Sequence, residues 1–219
     1  MASTALDGAV TSTPRDTKIT FAMTDAKRFD AGYYRRFYEK AGTCVADSSS
    51  VERLAGFVTG YLRYLQLPVR SVLDLGCGLG HWRTALKALV PRASYRGVEW
   101  SEYQCDRMGW EHGSVVDYAP GRAFDLVVCQ GVLQYLDDAS AARAIQNLGR
   151  LSQGALYLEA LTRRDWRHNV DRALTDGDVH LRTGDWYMHR LKRKFMPLGG
   201  GLFVRRSAGV SLFELETLT

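Results

Sequence analysis

No apolar run in the 219 residues approaches the ~20 needed to cross a bilayer, although 46% of them are hydrophobic. No membrane span is expected, and the chain reads as soluble and cytoplasmic. Cysteine is scarce: Cys44, Cys77, Cys105 and Cys129 lie far apart and form no CxxC pair. Two of them fall in segments that read as buried strand ends, so reduced thiols are expected rather than a disulfide framework. The five histidines show no ligand spacing, which argues against a structural or catalytic zinc. The first residues, 1–25, are rich in Ala, Ser and Thr and have no sustained apolar period. They read as a flexible arm. No continuous apolar segment follows their few charges, so they are not a secretory signal.

Charge is modestly unbalanced, with 29 Lys and Arg against 24 Asp and Glu, a net +5. Much of the excess comes late, in Arg163, Arg164 and Arg167 and then in Arg190, Lys192, Arg193 and Lys194. The last group falls on a helical pattern whose apolar side is Tyr187, Leu191 and Phe195. The solvated face of an amphipathic helix accounts for it, and an RNA-binding surface is the alternative. No recognisable nucleic-acid module accompanies it, so nucleic acid is a possible but not a favoured partner.

What is present is an alternation of strand-like and helix-like segments, the pattern of a parallel sheet with crossover helices. A helical stripe runs through Val51, Leu54, Phe57, Val58, Tyr61, Leu62 and Leu65 until Pro68. Strands are expected at 71–75, 95–99, 113–116, 124–129 and 155–158. Helices are expected around Trp82 to Leu89, 102–108 and 139–151. The run 124–129 is unbroken, as suits a central strand buried on both faces. After a polar stretch, 162–185, and the basic helix, two apolar segments joined by Gly199, Gly200 and Gly201 read as a hairpin.

The strongest local signal is Val72-Leu73-Asp74-Leu75-Gly76-Cys77-Gly78-Leu79-Gly80. A strand delivers an acidic residue near its end, and three glycines turn the chain into a helix. Glycine permits positive φ and close approach of a ligand to the backbone. In an open parallel sheet, ligands bind beyond the strand ends at this place. Glu99 ends the second strand, where a carboxylate accepts hydrogen bonds from the hydroxyls of an adenosine ribose. The glycine spacing is GxGxG, not the dinucleotide GxGxxG.

These residues, with the ordered segments around them, resemble the class I S-adenosylmethionine-dependent methyltransferases, from about Ser71 to Arg206. The resemblance implies an α/β, Rossmann-like, doubly wound and mostly parallel seven-stranded sheet with an antiparallel C-terminal hairpin. It implies S-adenosyl-L-methionine as cofactor, with Asp74, Gly76, Cys77, Gly78 and Gly80 around its methionine part. Glu99 would hold the ribose and Trp100 would flank the adenine. Ser114, Val115 and Asp117 would read the adenine edge, and Gln130 would close over the cofactor. Upstream, the aromatic cluster Asp30 to Tyr38 fits a helix folded over the cofactor through Tyr34 and Tyr38, or one packed on the sheet edge.

The segment Gly131-Val132-Leu133-Gln134-Tyr135-Leu136 resembles a stretch of small-molecule methyltransferases, with Gln134 and Tyr135 where a His pair is common. The Asn/Asp-Pro-Pro-aromatic motif of enzymes that methylate base amino groups is absent. A small-molecule acceptor is therefore expected. A methyltransferase of RNA or protein and a non-catalytic scaffold are the alternatives. Glu159, ending the fifth strand, and His180, in the polar stretch, are the candidate catalytic residues. Trp166, Trp186 and Tyr187 fit either an acceptor pocket or the core. The expected division is an arm (1–25), a methyltransferase domain (26–206, with a helical cap at about 26–66) and a tail (207–219).

Overall fold

The structure, a computed structural model, describes residues 28–39 and 48–217. The expected arm and Cys44 lie outside the described residues. A short helix α1 (Ala31–Tyr34) runs into a wider turn at Arg35–Glu39. Helix α2 (Ser48–Tyr64) precedes the sheet. Then β1 (Ser71–Leu75), α3 (His81–Leu89), β2 (Ser94–Glu99), α4 (Glu102–Met108), β3 (Glu111–His112), β4 (Phe124–Gln130), α5 (Asp138–Leu151) and β5 (Ser152–Glu159) alternate. Helices α6 (Arg163–His168) and α7 (Gly184–Leu191) lead to the closing strands β6 (Phe195–Gly199) and β7 (Leu202–Arg205).

The seven strands are ordered β3-β2-β1-β4-β5-β7-β6. All pairs from β3 to β5 are parallel, and β7 joins β5 antiparallel with β6 beyond it. This is the doubly wound sheet with an antiparallel C-terminal hairpin. Its central strands carry Val, Leu and Phe because both faces are covered, so alternate side chains enter opposite cores. Val72, Leu126, Val128 and Ala155 meet α2 and α3, while Leu73, Leu75, Val127 and Leu156 meet α5 and α7. Each fully buried side chain of this kind contributes roughly 1.5–3 kcal/mol. Strand order reverses between β1 and β4, so the crevice beyond their carboxyl ends is the natural ligand site.

Three local expectations are corrected. The third strand is two residues, Glu111–His112, and 113–116 forms the turn after it, held by the Tyr118 amide on Ser114 O at 2.9 Å. The basic segment is not one helix: α7 ends at Leu191, and Phe195 opens β6 as a buried hairpin residue. The four-residue spacing of Leu191 and Phe195 mimics a helix because both side chains enter one core. The polar stretch contains α6, nucleated by a capping box in which the Thr162 and Asp165 side chains bond each other's backbone amides. Phe57, placed in the apolar stripe, is 44% exposed. Among the described residues, no helix is long and apolar enough to cross a membrane.

Candidate active site

Beyond Leu75 the chain reverses within two residues, and the amides of Gly76 and Cys77 both donate to Val98 O, at 2.8 and 3.2 Å. Gly76, Gly78 and Gly80 all have positive φ, at 80°, 48° and 75°. Space sharpens the need for glycine at two of them. A Cβ on Gly76 would lie 2.3 Å from Val132, and one on Gly80 would lie 2.8 Å from the Trp110 ring. At Gly78 nothing comes within 4 Å. Gly78 thus keeps an open face on the cavity it lines.

Glu99 is 7% exposed, and three backbone amides hold its carboxylate. Its Oε2 accepts from the Gly78 amide at 2.9 Å, and its Oε1 accepts from the amides of Trp100 and Ser101 at 2.8 and 2.9 Å. Three backbone donors fix the carboxylate and leave acceptor capacity for ribose hydroxyls. Trp110 holds the next peptide of the loop, its indole N–H donating to Gly78 O at 2.9 Å. Asp74 is 2% exposed and accepts from the Tyr95 hydroxyl at 2.5 Å. Burial pushes its carboxyl up to about 7; the Tyr95 hydrogen bond opposes that rise and the Glu99 charge adds to it.

These groups border a cavity of about 530 Å³, within the ordinary range for a ligand the size of a nucleoside derivative. Of the residues singled out in the sequence, Tyr34, Tyr38, Asp74, Gly76, Cys77, Gly78, Glu99, Trp100, Ser114, Val115, Gln130 and Glu159 line it. Gly80, Asp117 and His180 do not. Gly80 backs onto Trp110 and caps α3. Asp117 faces solvent on the turn after Ser114. The His180 side chain is exposed, while its backbone amide donates to Gln134 O at 2.7 Å. Burial pushes the Tyr34 and Tyr38 phenols and the Cys77 thiol far above their usual ranges, so none of the three is a base or nucleophile at neutral pH.

Sequence reading missed the wall that joins Gln130 to Glu159. Trp82 Nε1–H donates to Gln130 Oε1 at 2.8 Å, and Gln130 Nε2–H donates to Glu159 Oε2 at 3.1 Å. The same Oε2 accepts from the Tyr157 hydroxyl at 3.0 Å, and the Trp82 and Tyr157 rings stand 5.1 Å apart. Trp82 and Tyr157 looked like core residues because each does pack in the core beneath α2.

The mouth was missed too. Tyr33 and Tyr135 share a hydrogen bond at 2.8 Å, and Arg28 reaches Asp176 and Asp178, each at 3.2 Å. Three segments far apart in the chain thus meet over the cavity. Trp186 and Tyr187 belong to the core, and Trp166 packs beside Gly177; none of the three lines the cavity. Cys77, Cys105 and Cys129 are free thiols, and no metal-binding cluster exists among the described residues.

No curated protein matches the sequence. Solved structures share the fold at low identity. The sugar N-methyltransferase KedS8 from Streptoalloteichus is 19% identical, with 94% of this chain and 97% of that one covered, at a TM-score of 0.56. Magnesium protoporphyrin IX methyltransferase (ChlM) from Synechocystis, with bound S-adenosylhomocysteine, is 16% identical over 82% and 97%, at 0.54. The amino pentose methyltransferase CalS10 from Micromonospora echinaspora, with S-adenosylmethionine bound, is 16% identical over 71% and 90%, at 0.53. The family model described as a methyltransferase domain matches residues 33–209. The chain belongs to that family, and it is an S-adenosylmethionine-dependent methyltransferase of the class I fold.

Proposed function

We propose that the chain transfers the methyl group of S-adenosylmethionine to a small-molecule acceptor by in-line displacement. The observation that carries this is the Gly78–Glu99 bridge beside the open face of Gly78, on a cavity of about 530 Å³. Glu99 would take the ribose hydroxyls, and Asp74 would face the ammonium. Trp100, which stacks with His112 at 5.3 Å, would flank the adenine beside Ser114 and Val115. Tyr34 and Tyr38 would cover the methionine end. The bound cofactor supplies an already electrophilic methyl, so the chain's contribution is mainly alignment and exclusion of water.

The acceptor enters between the Tyr33–Tyr135 pair and the Gln130–Glu159 wall. Glu159 is the one cavity carboxylate that is exposed rather than buried, which suits it to take a proton from an amine or hydroxyl acceptor. His180, outside the wall, is the second candidate. The cavity's volume of about 530 Å³ favours a small acceptor, as do neighbours such as KedS8 and CalS10, whose names describe a sugar N-methyltransferase and an amino pentose methyltransferase. Residues 26–206 form the catalytic domain in this reading, with 207–219 as a tail.

Isothermal titration with S-adenosylmethionine and S-adenosylhomocysteine, on the wild type and on Glu99→Ala, tests it. Micromolar binding is expected, weakened by ~1–3 kcal/mol in the variant as a buried acceptor is lost. Folded wild-type protein that takes up neither compound would sink the assignment.

A further inference from the structure

A second concavity, of about 850 Å³, is lined mainly by α5, the end of α7 and the start of β6, and shares no lining residue with the catalytic cavity. Its lining includes Arg143, Arg150, Arg190, Arg193 and Lys194, together with His189, and contains no Asp or Glu. The cations come from two directions. Arg143 and Arg150 project from α5, and the others come from the end of α7 and the turn that follows it. The correction to the basic helix matters here. Because α7 stops at Leu191, Arg193 and Lys194 fall on a turn that closes over Gly149 of α5, whose Cβ position would lie 2.5 Å from the Lys194 chain.

Four of these cations, Arg150, Arg190, Arg193 and Lys194, have no carboxylate partner among the described residues. Their contacts are neutral: Arg150 donates to Asn147 Oδ1 at 2.6 Å, and Arg190 donates to Trp186 O at 3.0 Å. Arg190 also lies 3.7 Å from the Trp186 ring centre, which holds its guanidinium without neutralising it. Burial, with the charges of Arg205 and Arg150, pushes the Lys194 ammonium below its usual range. Like charges gathered in a concave wall focus a positive field that raises the local concentration of anions.

We propose that this groove binds phosphate groups, as a site separate from the catalytic one. Arginine forks match phosphate oxygens in pairs, and carboxylates are absent, so multiply charged phosphate is favoured over a zwitterion. Phe195, the lining's only Phe, Tyr or Trp, is 1% exposed, which leaves His189 as its exposed aromatic ring. Cations outnumber rings in the lining, so recognition is chiefly of phosphate itself, carried either by a small phosphorylated molecule or by an RNA backbone. The proposal does not depend on the identity of the methyl acceptor.

Tripolyphosphate and a fluorescent twelve-nucleotide oligouridine, each titrated into the full chain, separate the two sources. Arg193→Gln/Lys194→Gln removes two exposed cations that lie outside the cofactor machinery, so cofactor binding serves as the folding control. Saturable binding of tripolyphosphate that falls about tenfold or more in the double variant, and falls again with added salt, supports the site with a small phosphate ligand. Oligouridine binding at least tenfold tighter than tripolyphosphate, with the same loss in the variant, supports the site with RNA as the source. Failure of both probes to bind, or equal binding by wild type and variant, overturns the proposal.

Discussion

Trp110 and Gly78 are joined by a hydrogen bond of 2.9 Å from the indole N–H to the glycine carbonyl. The Gly78 amide meanwhile donates to Glu99, so the two peptides on either side of the Gly78 Cα are both held. The same indole occupies the space where Gly80 and Gly97 would carry a Cβ. Trp110→Phe keeps an aromatic ring and deletes the donor. It should cost about 0.5–1.5 kcal/mol of stability and weaken cofactor binding roughly fivefold to tenfold, measured by urea unfolding and titration calorimetry. Gly80→Ala should be worse for binding, since its Cβ meets the ring at 2.8 Å with φ at 75°. Unchanged cofactor affinity in both variants would show that the loop holds its shape without this clamp.

The buried Asp74 carboxyl makes a pH prediction with a definite sign. Its folded-state value stands near 7, above the ordinary 3.8, so between those limits the folded chain binds a proton that the unfolded chain has released. Stability without cofactor is therefore fullest below about pH 4 and falls as pH rises toward 7, as far as this group is concerned. Asp74→Asn should flatten that slope and raise the melting temperature at pH 8, at the cost of cofactor binding. An ammonium placed beside Asp74 favours the ionised form, so binding at pH 6 should release a proton and binding at pH 9 should not. Calorimetry in two buffers of different ionisation enthalpy measures this directly, and an identical heat in both at pH 6 would contradict it.

Glu159→Gln preserves the size of the side chain and an oxygen for Gln130 and Tyr157, but cannot take a proton. With an acceptor identified, kcat should fall by about 10²–10⁴ while KM changes little. No drop in kcat would leave alignment alone as the source of rate. His180→Ala, measured in parallel, should have the smaller effect, because that side chain lies outside the cavity.

Arg182 is 4% exposed and gathers the polar stretch onto the cavity wall. It donates to Asp138 at 2.7 Å, to Leu133 O at 3.0 Å and to His180 O and the Tyr187 hydroxyl at 3.3 Å, and also to Leu136 O. Replacement by Met would leave buried acceptors without a donor, an expected loss of about 2–4 kcal/mol. Urea unfolding reads this, and a loss below ~1 kcal/mol would mean that water replaces the guanidinium. Loosening of the 133–136 turn should also raise KM for the acceptor.

The fold was legible because its signals are local. Four of the five expected runs, a glycine loop after β1 and a glycine turn before β7 mark strand positions through burial and backbone freedom alone, while 113–116 folds as a turn. Asp74, Gly76, Gly78 and Glu99 could be singled out for the same reason: each acts through its own place at a strand end. The sequence could not show that Phe195 leaves the helical pattern to begin a strand, since a four-residue spacing serves both a helix face and a turn entering one core. Nor could it pair Trp110 with Gly78, Trp82 with Gln130, Tyr33 with Tyr135 or Arg28 with Asp176. Those partners are 32, 48, 102 and 148 residues apart. The sequence by itself determined the order of strands and helices and the acidic and glycine residues of the ligand loop, because burial and φ are properties of short segments. Only the tertiary structure decided which aromatic, amide and guanidinium groups enclose the site, because side-chain hydrogen bonds depend on distances that the folded sheet alone creates.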